Sequence, residues 1–134
     1  MAKWVDVGEN RVANILFKAQ AVDASLWMGL FTNNTEPGET AQMTDITEHA
    51  LGTDGYNRIE LVRGTWTVTA DHADYAQQTF TCTTTDWGNQ WGYYINTAQT
   101  GTAGILMAVE LFSNGPYNVV VGGSVKITPK ITVA

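Results

Sequence analysis

The chain has two histidines, and each stands among carboxylates: His49 follows Asp45 and Glu48, while Asp71 and Asp74 bracket His72. Imidazole beside carboxylate is the pairing from which acid-base catalysis and metal sites are built, because the ring titrates near neutrality and the carboxylate orients it. Asp71-His72-Ala73-Asp74 nevertheless has the composition of a turn between strands, and neither group has the His-Glu-x-x-His spacing of a metalloenzyme. Loop carboxylates and carbonyls could hold calcium, but no EF-hand spacing supports it. Nor is there a Gly-x-Ser-x-Gly elbow or a phosphate-cradling glycine loop. The expectation is polar loops, with no catalytic residue, no metal site and no cofactor.

Aromatic residues offer a different chemistry. Trp87, Trp91, Tyr93 and Tyr94 lie close together with Asn89, Gln90 and Asn96 among them. Such rings stack on sugars or anchor a protein interface, and core packing is the default for about half of them. Trp4 stands in a polar lead-in, where an exposed ring points to contact with a neighbouring subunit. Cys82 is the sole cysteine, within the strand-like run Phe80 to Thr84, and reads as a small buried hydrophobe.

What positions these groups is a series of strands. From Ser124 to Ala134 the residues Val125, Ile127, Pro129, Ile131 and Val133 alternate with Lys126, Thr128, Lys130 and Thr132, which makes a strand with one wet face. Ser25 to Thr32 is apolar on both faces and requires cover on both sides. Further strands are expected at Tyr56 to Val62, Trp66 to Ala70 with Trp66 and Val68 inward, Tyr75 to Thr85, Trp91 to Thr97 with Trp91, Tyr93 and Ile95 sharing a side, and Gly104 to Phe112. Gly122-Gly123 is read as a two-residue hairpin turn. That register sets Val120 on the core side and leaves Val119 and Val121 outward. Glu9 to Gln20 is the one helix, with Val12, Ile15, Leu16 and Ala19 on its apolar face.

The fold expected is all-β: an antiparallel β-sandwich of about eight strands, a jelly roll, with one short N-terminal helix. An immunoglobulin-like strand order is the alternative. At 134 residues and 44% hydrophobic content the chain suits a single domain over 1–134, with residues 1–24 as arm and helix and 25–134 as the sandwich. Lys and Arg number 7 against 13 Asp and Glu, so a nucleic-acid partner lacks its electrostatic footprint. No run approaches the roughly 18 apolar residues of a membrane span, and Asp6, Glu9 and Arg11 interrupt the opening where a secretory signal would be apolar. Synthesis and folding in a cytoplasm are expected.

Leu-Trp-Met-Gly-Leu-Phe-Thr-Asn-Asn at Leu26 to Asn34, Pro37, Asp45-Ile-Thr-Glu48 and Gly55-Tyr56 resemble a family of small tailed-bacteriophage virion proteins. Tyr75-Ala-Gln-Gln-Thr-Phe80, Trp91-Gly-Tyr-Tyr94, Leu106 to Phe112 with Gly115-Pro116, and Gly123 to Lys130 echo it later. The resemblance covers most of Leu26 to Val133 and leaves residues 1–25 outside. It implies a jelly-roll capsid decoration or cement protein on the virion surface, a homotrimer whose partner is the major capsid protein. It supplies no catalytic residues. A tail or fibre-associated module that binds a host-surface carbohydrate is the alternative. The candidate interface residues, as subunit or capsid anchors, are Trp4, Trp87, Trp91, Val119 and Val121.

Overall fold

The computed structural model describes residues 1–132. Its strands are β1 (Lys3–Trp4), β2 (Ser25–Phe31), β3 (Ile59–Val62), β4 (Thr67–Val68), β5 (His72–Asp74), β6 (Gln78–Thr81), β7 (Gly88–Gln90), β8 (Gly92–Asn96), β9 (Leu106–Leu111), β10 (Tyr117–Val119), β11 (Ser124–Ile127) and β12 (Lys130–Thr132). One α-helix, α1 (Asp6–Lys18), and a 3-10 turn at Met43–Asp45 complete the regular structure. The chain is an all-β sandwich with a single N-terminal helix.

One layer is a five-stranded antiparallel sheet in the order β1-β9-β8-β2-β3. Its middle strands are buried on both faces, which is why β2, β8 and β9 are apolar without clean alternation. Met28, Leu30, Tyr93 and Ile95 point into the sandwich, where they meet Phe80, Val125, Ile127 and Ile131. Phe31, Tyr94, Leu106 and Val109 point the other way and are covered by Val5, Ala41 and Met43. The long polar segment after β2 therefore acts as a lid over the second face.

The opposing layer is made of pieces: β4-β5-β12, β6-β11 and β7-β10. More strands occur than the eight expected because long strands are interrupted. The closing strand breaks at Thr128-Pro129, where three residues, Tyr75 to Gln77, face two, so β11 pairs with β6 and β12 with β5. A proline, lacking an N–H, marks this bulge. The alternation holds on both sides of the break, with Val125, Ile127 and Ile131 buried and Lys126 and Thr128 exposed. Val133 lies outside the described residues. Ala2 stitches the two layers, because it bridges Ile131 of β12 just where β1 joins β9.

Four local expectations are corrected. The helix starts at Asp6 and ends at Lys18, where Ala19 adopts left-handed backbone with φ 51, so Leu16 and Ala19 are outward rather than on the packed face. Gly8 is the contact instead, lying against the Met107 backbone with no room for a side chain. The segment His72–Asp74 is strand and the turn precedes it, closed by the Thr69 N–H donating to His72 O at 2.9 Å. Val68 then faces outward and Trp66 is half-buried. Trp91 packs with Phe31 and Tyr94, on the face opposite Tyr93 and Ile95.

The fourth correction concerns the valines. The turn runs from Val120 to Gly123, whose N–H donates to Val120 O at 2.8 Å, and the positive φ falls on Gly122 alone. That is a one-residue slip from the expected turn, and in a strand one residue reverses every side chain. Val119 is consequently buried and Val120 exposed.

Candidate functional site

The most organised polar cluster centres on Glu48. Its Oε2 accepts from the Tyr94 hydroxyl at 2.6 Å and the Tyr56 hydroxyl at 2.8 Å, and its Oε1 accepts from Arg58 Nη2 at 2.5 Å. Arg58, itself buried, also donates to Ala98 O and Gly101 O, both at 2.9 Å, and its guanidinium lies 5.5 Å from the centre of the Tyr94 ring. The Tyr56 hydroxyl accepts from Leu30 N–H at 2.9 Å. Strand register explains this last bond. β3 pairs β2 only as far as Met28, so the tyrosine completes the edge where the strand has run out.

The electrostatics are those of a closed lock. Burial raises the Tyr56 pKa, and the Glu48 charge raises it further. Burial likewise raises that of Tyr94, with Tyr56 and Glu48 adding to it. For Arg58, burial alone would lower the pKa, but hydrogen bonding to Glu48 and attraction to Tyr94 and Glu48 hold it above its ordinary value. One carboxylate and one guanidinium thus neutralise each other, while two neutral phenols donate to the carboxylate. The acceptor positions of Glu48 are spent on side chains of the fold, and the cluster ties the segment before β3 to the loop after β8.

Both histidines belong to similar structural pairs. His49 Nε2 is 3.0 Å from Asp54 Oδ2, and its ring packs at 6.0 Å from that of Trp87, whose indole N–H donates to Asp54 O at 3.1 Å. His72 lies between Asp71, at 2.5 Å from Nδ1, and Asp74, at 2.9 Å from Nε2. The hydrogen bond from His72 lowers the Asp71 pKa. Among the described residues no three His, Cys, Asp or Glu side chains come together as a metal site. Cys82 is buried, as expected of a packing residue.

The candidate interface residues do not form one surface. Trp87 and Val119 are core. Trp4 is half-buried, its indole N–H donating to Thr132 O. Trp91 is half-buried against the lid, and Val121 alone is exposed at the tip of its turn. Sequence reasoning missed the more prominent feature: Leu16 and Phe17, 69% and 85% exposed, project from the last turn of α1. On the Val12 and Ile15 side of the same helix, an apolar groove of about 260 Å³ is lined by these two residues with Trp4, Val22, Trp66 and Val68. The signal for it lay in the pattern itself, since Ile15-Leu16-Phe17 is three apolar residues in a row and one helix face cannot bury all three.

No protein-family model matches the chain, and no curated protein matches it. No helix among the described residues is long and apolar enough to cross a membrane.

Proposed function

We propose that the chain is a structural virion protein of a tailed bacteriophage, a decoration or cement protein of jelly-roll type that sits as a homotrimer on the outer surface of the capsid and contacts the major capsid protein. The observation that carries this reading is exposed apolar surface on α1, where Leu16 and Phe17 stand in solvent while Val12 and Ile15, on another side of the helix, line an apolar groove. Large apolar side chains left in solvent, on a molecule that also carries an apolar groove, mark contact surface. A trimer that grips several shell subunits multiplies weak contacts into tight attachment, so no single contact has to be strong. The sequence resemblance supplies the assignment to a phage, and the excess of acidic side chains keeps unassembled copies soluble.

The test is the amount of this chain relative to the major shell protein in purified particles, measured by quantitative mass spectrometry. A near-stoichiometric ratio is expected. A trace ratio would transfer the protein to the tail and to host-surface carbohydrate, and absence from the particle would overturn the virion reading.

A further inference from the structure

β10 and β11 are joined by the Val120 to Gly123 turn, yet they pair with different strands, β7 and β6, and so their edges splay apart. The wedge between them is a groove of about 640 Å³, walled by Tyr117 to Val120 on one side and by Ser124 to Thr128 on the other, with Glu110 and Phe112 lining it between. Tyr93, Val125 and Ile127 also line it.

Backbone direction decides what such a groove can hold. Along the closing strand the odd-numbered residues bond toward β5 and β6: Cys82 N–H donates to Gly123 O at 2.9 Å, and Tyr75 N–H to Pro129 O at 3.0 Å. In an antiparallel ladder alternate residues point their N–H and C=O groups to opposite sides. The even-numbered ones must face away, and two of them do so onto a partner: Ala2 N–H donates to Lys130 O at 2.7 Å, and Thr132 N–H donates to Ala2 O at 3.3 Å. Farther along this same edge, Ser124, Lys126 and Thr128 turn their backbone groups into the groove. The amino-terminal segment thus fills one end of a strand-shaped slot. Its Met1 amino group lies 2.8 Å from Glu110, where the groove begins.

We propose that this groove is a strand-addition site, in which an extended segment of a partner protein pairs with Ser124, Lys126 and Thr128 as Ala2 pairs with Lys130 and Thr132. Strand addition draws its affinity from main-chain hydrogen bonds and its specificity from alternate side chains. Five residues of edge span about 17 Å, room for a short strand. Tyr93, Phe112, Val125 and Ile127 select apolar residues at every second position. The partner is a different protein because, among the described residues, this chain's own terminal strands are already paired. Lys126 on the exposed edge discourages pairing between identical edges. The inference stands apart from the virion reading and holds whichever assembly the partner belongs to.

The experiment is selection of a random linear peptide display library on the purified protein, followed by amide hydrogen exchange of the isotope-labelled protein with the selected synthetic peptides. Selected peptides should alternate apolar and polar residues. They should slow exchange of the Ser124, Lys126 and Thr128 amides by about tenfold or more. N-methylation of the peptide residues that face β11 should weaken binding by about tenfold or more, as expected for two lost hydrogen bonds. A library that yields no groove-binding peptide overturns the proposal, as do peptides indifferent to N-methylation. Protection of the same amides by self-association would give the groove to a second copy, and glycan binding at Phe112 and Tyr117 without peptide binding would make it a sugar site. Either result also overturns the proposal.

Discussion

Gly29 on β2 and Tyr94 on β8 are direct cross-strand partners, and the tyrosine lies over the glycine so closely that a Cβ at position 29 would overlap its hydroxyl. Two residues along, the pairing is reversed: Phe31 on β2 lies over Gly92 on β8. Each glycine gives its partner's ring a place to lie flat on the sheet, and each ring covers backbone that a glycine would leave bare. The first pair also sets the height at which the Tyr94 hydroxyl meets Glu48.

Gly29→Ala should therefore destabilise the fold by about 1–3 kcal/mol, as overpacking does in a filled core. Urea unfolding followed by tryptophan fluorescence measures it. In a Tyr94→Leu background the added methyl should cost clearly less, because the two positions share one space. Equal costs in both backgrounds would refute the coupling.

Arg58→Met leaves the Glu48 carboxylate without its cation and should cost about 3–5 kcal/mol, whereas the double change Arg58→Met with Glu48→Gln should recover a large part of that loss. The comparison is read from denaturant midpoints. A double variant no more stable than the single one would show that the two residues act separately.

Alkaline pH should act through the buried tyrosines. Burial holds the hydroxyls of Tyr56, Tyr93 and Tyr94 above their ordinary pKa of 10.0, aided by Glu48 for the first and third and by Glu110 for the second. With the folded pKa raised, the stabilisation is complete below pH 10 and is lost as the pH climbs above it, because the unfolded chain releases protons that the folded chain retains. Each tyrosine contributes a slope of about 1.4 kcal/mol per pH unit in that window. The urea midpoint should fall above about pH 10, and Tyr56→Phe should make the fall shallower by about one proton. A midpoint that stays level through this range would exclude the effect.

Phe17→Ser and Leu16→Ser remove no packed side chain and should change stability by less than about 0.5 kcal/mol. Under the proposed function they should abolish trimer formation and capsid attachment, read by light scattering after size-exclusion chromatography and by co-sedimentation with undecorated shells. Unchanged trimers and attachment would remove α1 from the interface.

Trp87→Ala should behave in the opposite way, costing about 3–5 kcal/mol as a large cavity in the core. Val121→Ser, at an exposed turn tip, should leave the melting temperature alone. Reversal of that order would restore Trp87 to the surface.

The sandwich was legible because period-two alternation survives in the chain, most clearly from Val125 to Ile131, where burial follows the sequence across a bulge. What escaped was decided by distant partners. Nothing near Val119 indicates which glycine of Gly122-Gly123 takes the positive φ, and that choice alone puts Val119 inside. Trp87 reads as an anchor in isolation, and only the approach of Tyr56, His49 and Asp54 makes it core. Glu48 and Arg58 are ten positions apart on segments without strong periodicity, so their pairing depends on tertiary structure. The helix was found, but its outward face was not, because an apolar run gives no sign of which member will be left unpacked.

The Ala2 bridge to Ile131 has a consequence in time. These residues are separated by nearly the whole described chain, so as the protein emerges from the ribosome the first strand must wait for the last before the two layers can be joined. Closing so long a loop comes late and slowly. Until then the edge of β5 that β12 will cover stays open to its surroundings, the period in which crowding by other unfinished copies is most hazardous.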